Sequence, residues 1–422
     1  MKPLVFVASC IGSLSLAACG AGTASPADSG GGDAPPMSSG HRDGGKEGGE
    51  PAKDAATADA RGHADAGHAD VSTKPPQEAS TIAKDTGLAR EAGPVEAGPL
   101  AVAYMVGIKC NSDENGPATL EGWLDRPTDV AGTTITTTSY IGGTNAAYTD
   151  ANGKLPLLEV SFPLVSIFGE QPAYTDLAEA AAGAYDSTYE AMSKDLAAFP
   201  NPLLSARIGW EFNGSWYAWS NGVGTNATYT NYVGAFQHAA IMLKKHNPNV
   251  LIQWNIAWGQ PDPTPYWPGA YNATSNPGGV DVISIDFYQA NISQYNNGGK
   301  QSTWAMAQSG STINLDWMVA FAKQKGVKIA LSEYGAGSPS SKGLGGGGTG
   351  LNDGTWTAAS VAWIESQPSG FFLWTNWSDD APADDIVTPG SNPSEQAAWS
   401  AAWKGTHFAG NWWKGTAPPS AP

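Results

Sequence analysis

The chain reads as an α/β protein, a (β/α)8 TIM barrel preceded by a disordered N-terminal linker. Three observations predict it. Short apolar or β-branched runs recur along the C-terminal three quarters of the chain. Helix-like segments separate them. The stretch that carries them, residues 99–415, has the length of one barrel domain. Eight strands alternating with helices make a parallel closed sheet the natural solution, with an open doubly wound sheet as the alternative.

Taken in order, residues 100–108 (LAVAYMVGI) read as the first strand, followed by a helical ATLEGWLDR segment. The stretch 133–139 (TTITTTS) is the second candidate, and 156–164 (PLLEVSFPL) the third. A long Ala-rich helix is expected over 174–198. Strand 203–212 (LLSARIGWEF) precedes a helix at 230–246, and strands 250–258 and 280–288 follow as buried runs. An amphipathic helix over 313–326 closes on Gly326, a residue suited to a helix end. Strand 328–335 (KIALSEYG), helix 355–366, strand 370–377 (GFFLWTNW) and helix 394–405 complete the series. Residues 416–422 form a C-terminal tail.

The segments before the barrel differ in kind. Residues 1–19 combine an early Lys, an apolar run and small residues, which is the pattern of a secretory signal and too short for a membrane span. The run ends Leu16-Ala17-Ala18-Cys19, which resembles a bacterial lipobox, so Cys19 is the expected lipidation site; an ordinary cleavage near the same point is the alternative. Residues 20–98 hold no aromatic residue and carry 13 acidic against 7 basic side chains, with almost nothing to bury. Such a segment is expected to stay disordered and to act as a tether, with a metal role for His41, His63 and His68 as the lesser alternative. The expected location is therefore the cell surface or the outer membrane, facing outward through a lipid anchor.

Charge and cysteine content narrow the function classes. A net charge of -17 argues against a polyanion such as nucleic acid as partner. Three cysteines offer neither a disulfide framework nor zinc spacing. The chain has 17 Trp with only 14% charged residues, a composition suited to stacking on neutral ligands such as sugars. The literal GxGxxG at Gly343–Gly348 lacks the helix and spaced acid of a dinucleotide site. No cofactor and no metal are expected, although Asp379, Asp380, Asp384 and Asp385 form a cluster with a possible calcium role. A monomer is expected.

Two strands end in Glu followed by an aromatic residue, at Glu211 in RIGWEFNG and Glu333 in LSEYG. Barrel chemistry sits at the C-terminal ends of the strands. A carboxylate there is costly to desolvate unless it is paired or employed. Two of them, 122 residues apart in sequence, suit opposite sides of one glycosidic bond, with retention or inversion decided by their separation. The apolar neighbours Trp210, Phe212 and Trp216 favour a proton on Glu211, the expected acid/base. Arg207, on the same strand face as Glu211, and the Tyr288 phenol are placed to keep Glu333, the expected nucleophile, ionised. A salt-bridged structural role is the bland alternative for each Glu.

These residues resemble those of a known family. RIGWEFNGSWYAW is similar to the acid/base segment of glycoside hydrolase family 26, and ALSEYG to its nucleophile segment. IDFY, ending in Tyr288, and LWTNW, with Trp374, extend the resemblance. The resemblance implies a retaining (β/α)8 glycosidase in which Glu211 and Glu333 are catalytic, Arg207 and Tyr288 support the nucleophile, and Asn213 and Trp216 line the sugar site. It implies a polysaccharide substrate, β-1,4-mannan first, with β-1,3-xylan or mixed-linkage β-glucan as alternatives. One departure stands out: Trp210 occupies the position before the acid/base, where mannanases of the family typically carry His. Of the aromatics near strand ends, Trp216 and Trp374 are expected to flank the cleaved bond, and Trp219, Trp258 and Trp377 to extend the wall. Helical Trp317, Trp363, Trp399 and Trp403 are expected in the core, and Trp412 and Trp413 to pack back onto the barrel. A surface carbohydrate-binding protein on a decayed barrel is the reading from another class.

Overall fold

A computed structural model describes residues 101–109, 116–134, 155–167, 173–199, 203–293, 297, 301–336, 352–378, 390 and 392–409. The expected signal, Cys19, the linker, the Gly-rich and Asp-rich loops and the C-terminal tail lie outside the described residues.

Eight parallel strands close into a barrel: β1 (Met105–Lys109), β2 (Val130–Thr134), β3 (Leu157–Phe162), β4 (Leu203–Ile208), β5 (Leu251–Ala257), β6 (Val282–Tyr288), β7 (Lys328–Gly335) and β8 (Phe372–Ser378). Each pairs with the next, and β1 pairs with β8 through Met105 opposite Trp374, so no barrel edge is left open. This is the closed alternative, not the doubly wound one. A separate two-residue parallel pair, Ala101–Val102 with His407–Phe408, ties the segment before the barrel to the segment after it.

Helices lie between the strands: α1 (Gly116–Leu124), α2 (Leu177–Ala181), α3 (Asp186–Ala197), α4 (Tyr229–His246), α5 (Trp304–Ser309), α6 (Leu315–Lys325), α7 (Gly354–Glu365) and α8 (Pro393–Trp403). Side-chain caps fix the starts of several of them. The Thr228 hydroxyl accepts from the Asn231 N–H, Asn314 from Trp317, and Asp353 from Thr355 and Trp356. Lys244, Lys245 and His246 fill the last turn of α4, where the carbonyl ends favour cations.

Some expectations change. The second strand is Val130–Thr134 and not 133–139, because Val130 and Ala131 pair with Leu157 and Leu158 of β3; residues 135–139 lie outside those described. The single helix over 174–198 is split into α2 and α3, because Gly183 adopts a left-handed φ of 82° between them. Strand β4 ends at Ile208, not 212, because Gly209 and Glu211 both turn left-handed, at φ 51° and 49°. Glu211 therefore stands on a tight turn just beyond the strand rather than on the strand itself.

The barrel interior is layered, and strand alternation explains why. Successive inward residues on β4 are Leu203, Ser205 and Arg207; on β5, Leu251, Gln253 and Asn255; on β6, Val282, Ser284 and Asp286. The N-terminal floor is apolar, with Met105, Val130, Leu157, Leu203, Leu251, Val282 and Trp374 buried together. Above it lies a hydrogen-bonded layer around Glu159, which accepts from Gln253, Ser332 and Trp374. The charged groups come last, at the C-terminal mouth. Between the barrel and the helices, a second apolar shell includes Trp377, Trp399 and Trp403.

Candidate active site

Glu333, near the end of β7, is 8% exposed and receives donors on both carboxylate oxygens. The Lys109 ammonium lies 2.7 Å from Oε1, and Arg207 Nη1 donates to the same oxygen at 2.6 Å. The Tyr288 hydroxyl donates to Oε2 at 3.0 Å. Arg207 is wholly buried, and its Nη2 also donates to Asn255 Oδ1 at 3.1 Å and to Asp286 Oδ2. Asn255 in turn donates to Asp286 Oδ1 at 2.8 Å, so one amide orients both partners of the ion pair.

Glu211 is placed by its left-handed backbone, whose N–H donates to the Asn255 carbonyl at 3.1 Å. A non-glycine residue there costs on the order of 1 kcal/mol or more, and such conformations gather at functional sites. Its carboxyl accepts a hydrogen bond from Trp216 Nε1 at 2.8 Å. Trp216 thus contributes a polar contact as well as an aromatic face.

The two carboxyls ionise in opposite senses. Burial, reinforced by the neighbouring Glu333 charge, pushes the Glu211 carboxyl up to about 7. Burial would also raise Glu333, but the Lys109 and Arg207 cations outweigh it and hold that carboxyl down at about 2. The arrangement therefore presents a proton donor beside a carboxylate that stays charged. A cavity of about 270 Å³ opens onto Glu211 and onto Tyr288, the donor to Glu333; Trp216, Trp258, Gln260 and Asp286 are also in its lining. Aromatic walls with a few converging polar groups are the usual make-up of a small-ligand cleft.

The structure separates the other expected site residues. Asn213 does not line the cleft: it is 2% exposed, its Oδ1 accepts the Ala257 N–H at 2.8 Å, and its Nδ2 donates to the Ala257 and Pro261 carbonyls. It ties the turn carrying Glu211 to the end of β5. Trp374 is likewise no subsite wall. It is fully buried in the apolar floor, where its Nε1 donates to Glu159 Oε2 at 2.5 Å. Alternation on β8 sends it inward near the strand's beginning, not outward at its end. Trp219 packs on Trp210, and Trp377 packs edge-on against Trp356 and Trp399; both are core residues. Of the five strand-end tryptophans, Trp216 and Trp258 reach the cleft.

Lys109, Asn255 and Asp286 are the site residues that sequence reasoning passed over. Their signal was present: each is a polar residue at an inward position of a largely apolar, buried strand. The described residues hold no group of three or more His, Cys, Asp or Glu placed to bind a metal. The acidic cluster at 379–385 is outside them.

No family model matches the chain, and no curated protein matches it. Among solved structures, it is similar to the YdhT protein from Bacillus subtilis, at 12% identity and a TM-score of 0.46, over 76% of this chain and 91% of that one. It is also similar to GH26A from Muricauda sp. MAR_2010_75, at 14% identity and a TM-score of 0.39, over 69% and 88% of the two chains. A third is the exo-beta-1,4-mannosidase Op5Man5 from Opitutaceae bacterium strain TAV5, at 13% identity and a TM-score of 0.46, over 74% and 62%. At such distances the chemistry has to be argued from the site itself.

Proposed function

We propose that this chain is a retaining β-glycosidase that cleaves a β-linked polysaccharide lying across the barrel mouth. The observation that carries the reading is a pair of neighbouring carboxyls held in opposite ionisation states, Glu211 at about 7 in the lining of the cleft and Glu333 at about 2. A structural salt bridge explains Glu333 alone. It does not explain a neighbouring carboxyl kept protonated beside an aromatic cavity.

In the proposed reaction Glu333 attacks the anomeric carbon and forms a glycosyl ester as the glycosidic C–O bond breaks. The electron pair goes to the leaving oxygen, which takes the Glu211 proton. Water then gives a proton to Glu211 while its oxygen attacks the same carbon, and the ester bond breaks to return the Glu333 carboxylate. Arg207 and Tyr288 hold Glu333 through both steps, and Trp216 holds Glu211. Trp216 and Trp258 offer indole faces to the sugar rings.

The motif resemblance to glycoside hydrolase family 26 makes internal cleavage of β-1,4-mannan the first activity to test. Trp210 weighs against taking mannan alone: it is buried against Trp219 and Tyr217, so it presents no polar group to the sugar from that position. β-1,3-Xylan and mixed-linkage β-glucan are tested beside it. Incubation of the purified chain with this panel, followed by reducing-end and linkage analysis, identifies the substrate. Glu211→Gln and Glu333→Gln are each expected to lower kcat by several orders of magnitude while leaving the fold intact. Full activity in either variant, or retention of polymer without product, would overturn the proposal. We also propose that Cys19 carries the lipid anchor; metabolic labelling with a radioactive fatty acid should mark the wild type and not Cys19→Ser.

A further inference from the structure

We propose that Lys109 is a positioning residue for Glu333, fixing its Oε1 and leaving Oε2 to attack. This rests on the glycosidase reading above, but the contact itself does not.

Oε1 of Glu333 is held by two full cations, Lys109 at 2.7 Å and Arg207 at 2.6 Å, whereas Oε2 meets the neutral Tyr288 phenol at 3.0 Å. The oxygen with the freer electron pair is therefore Oε2. Lys109 is 3% exposed, and a buried ammonium is costly unless it is paired. The barrel makes room for it. Gly132 on β2 is the strand neighbour of Lys109, and a Cβ there would stand 3.1 Å from both the Lys109 Cβ and Cγ. A bare position on one strand thus admits the lysine stem from the next.

Charge balance gives the lysine its importance. The groups around Glu333 are Lys109 from β1, Arg207 from β4, Glu211 from the turn after β4, and Asp286 and Tyr288 from β6, with Glu159 from β3 in the layer below. Arg207 is divided between Glu333 and Asp286. Lys109 brings a second positive charge to the same carboxyl and, with Arg207, holds Glu333 ionised against the cost of burial.

The test is Lys109→Met in the full chain, on the polysaccharide that the wild type cleaves. Expected are a fall in kcat of about tenfold or more and an upward move of both limbs of the pH profile by about 1–2 units. Lys109→Arg, which keeps the charge, should recover part of each. A lower kcat with both limbs in place would mark a merely structural role and overturn the proposal. The Glu333 carboxyl is followed separately by ¹³C NMR, assigned by difference from Glu333→Gln. Its midpoint should rise by about 1–2 units in Lys109→Met, and an unmoved midpoint would also overturn the proposal. A moved midpoint in a protein that cleaves no glycan would sink the glycosidase reading and leave the Lys109–Glu333 contact standing. Should Lys109→Met not fold, Gly132→Ala crowds the lysine stem with every charge retained. The midpoint should then rise, and no change would refute the role.

Discussion

Replacing Glu211 by Gln should stabilise the protein, and only at the upper end of the pH range. The folded state holds this carboxyl at about 7, against an ordinary value of 4.5. Between those values the folded protein keeps a proton that the unfolded chain has released. Stability therefore falls as the pH climbs through that window, and the full cost is present above about 7. A shift of about 2.5 units corresponds to roughly 3 kcal/mol. Gln cannot ionise, yet its amide oxygen can still accept from Trp216, so the variant escapes this cost. In a domain of this size about 3 kcal/mol moves Tm by roughly 6 °C. Glu333 does not blur the comparison: held at about 2, its favourable contribution is lost only as the pH falls from about 4.5 through about 2. Calorimetric melting of wild type and Glu211→Gln from pH 4 to pH 8.5 should show near-equal Tm at the acid end and an advantage for the variant that widens between about pH 4.5 and 7 and then levels off. A difference that stays constant with pH would show that Glu211 is an ordinary carboxylate and would remove the physical basis for its role as acid.

Three further outcomes follow from the same geometry. Trp216→Phe keeps the aromatic face but removes the donor to Glu211 Oε2. The alkaline limb of kcat/KM, read from pH–rate profiles, should move upward, because that hydrogen bond favours the ionised form. Asn213→Ala breaks buried hydrogen bonds to Ala257 and Pro261 and should cost about 2–3 kcal/mol in denaturant unfolding. Trp374→Phe removes a buried donor from Glu159 and should cost about 1–3 kcal/mol with KM for the polysaccharide unchanged; a raised KM would return Trp374 to the sugar site.

Much of the barrel was legible because β-strands declare themselves twice, by apolar composition and by period. The strand over 328–335 was read with the limits that the structure shows, and the helices at 230–246 and 355–366 shift by one residue at most. Boundaries failed where one residue leaves its basin. Gly183 breaks a helix whose alanines favour continuation, and Gly209 ends β4 ahead of three residues that would suit a strand. Local propensity does not record which glycine turns left-handed. That is settled by what packs against it, here His238 beside Gly183 and Leu164 with Tyr232 beside Gly209.

The amino-acid order by itself determined the eight-strand rhythm and the location of two carboxyls at the ends of apolar strands, because alternation and burial cost are properties of neighbouring residues. It also placed Arg207 and Tyr288 among the candidates for the surroundings of Glu333. Only the closed barrel decided which tryptophans meet the cleft. Trp216 and Trp374 look alike in sequence, yet one stands at the mouth and the other lies in the floor, since depth inside a barrel depends on the register of β8 against β1. The same closure brings Lys109 from the first strand to Glu333 on the seventh, a meeting that no local pattern contains.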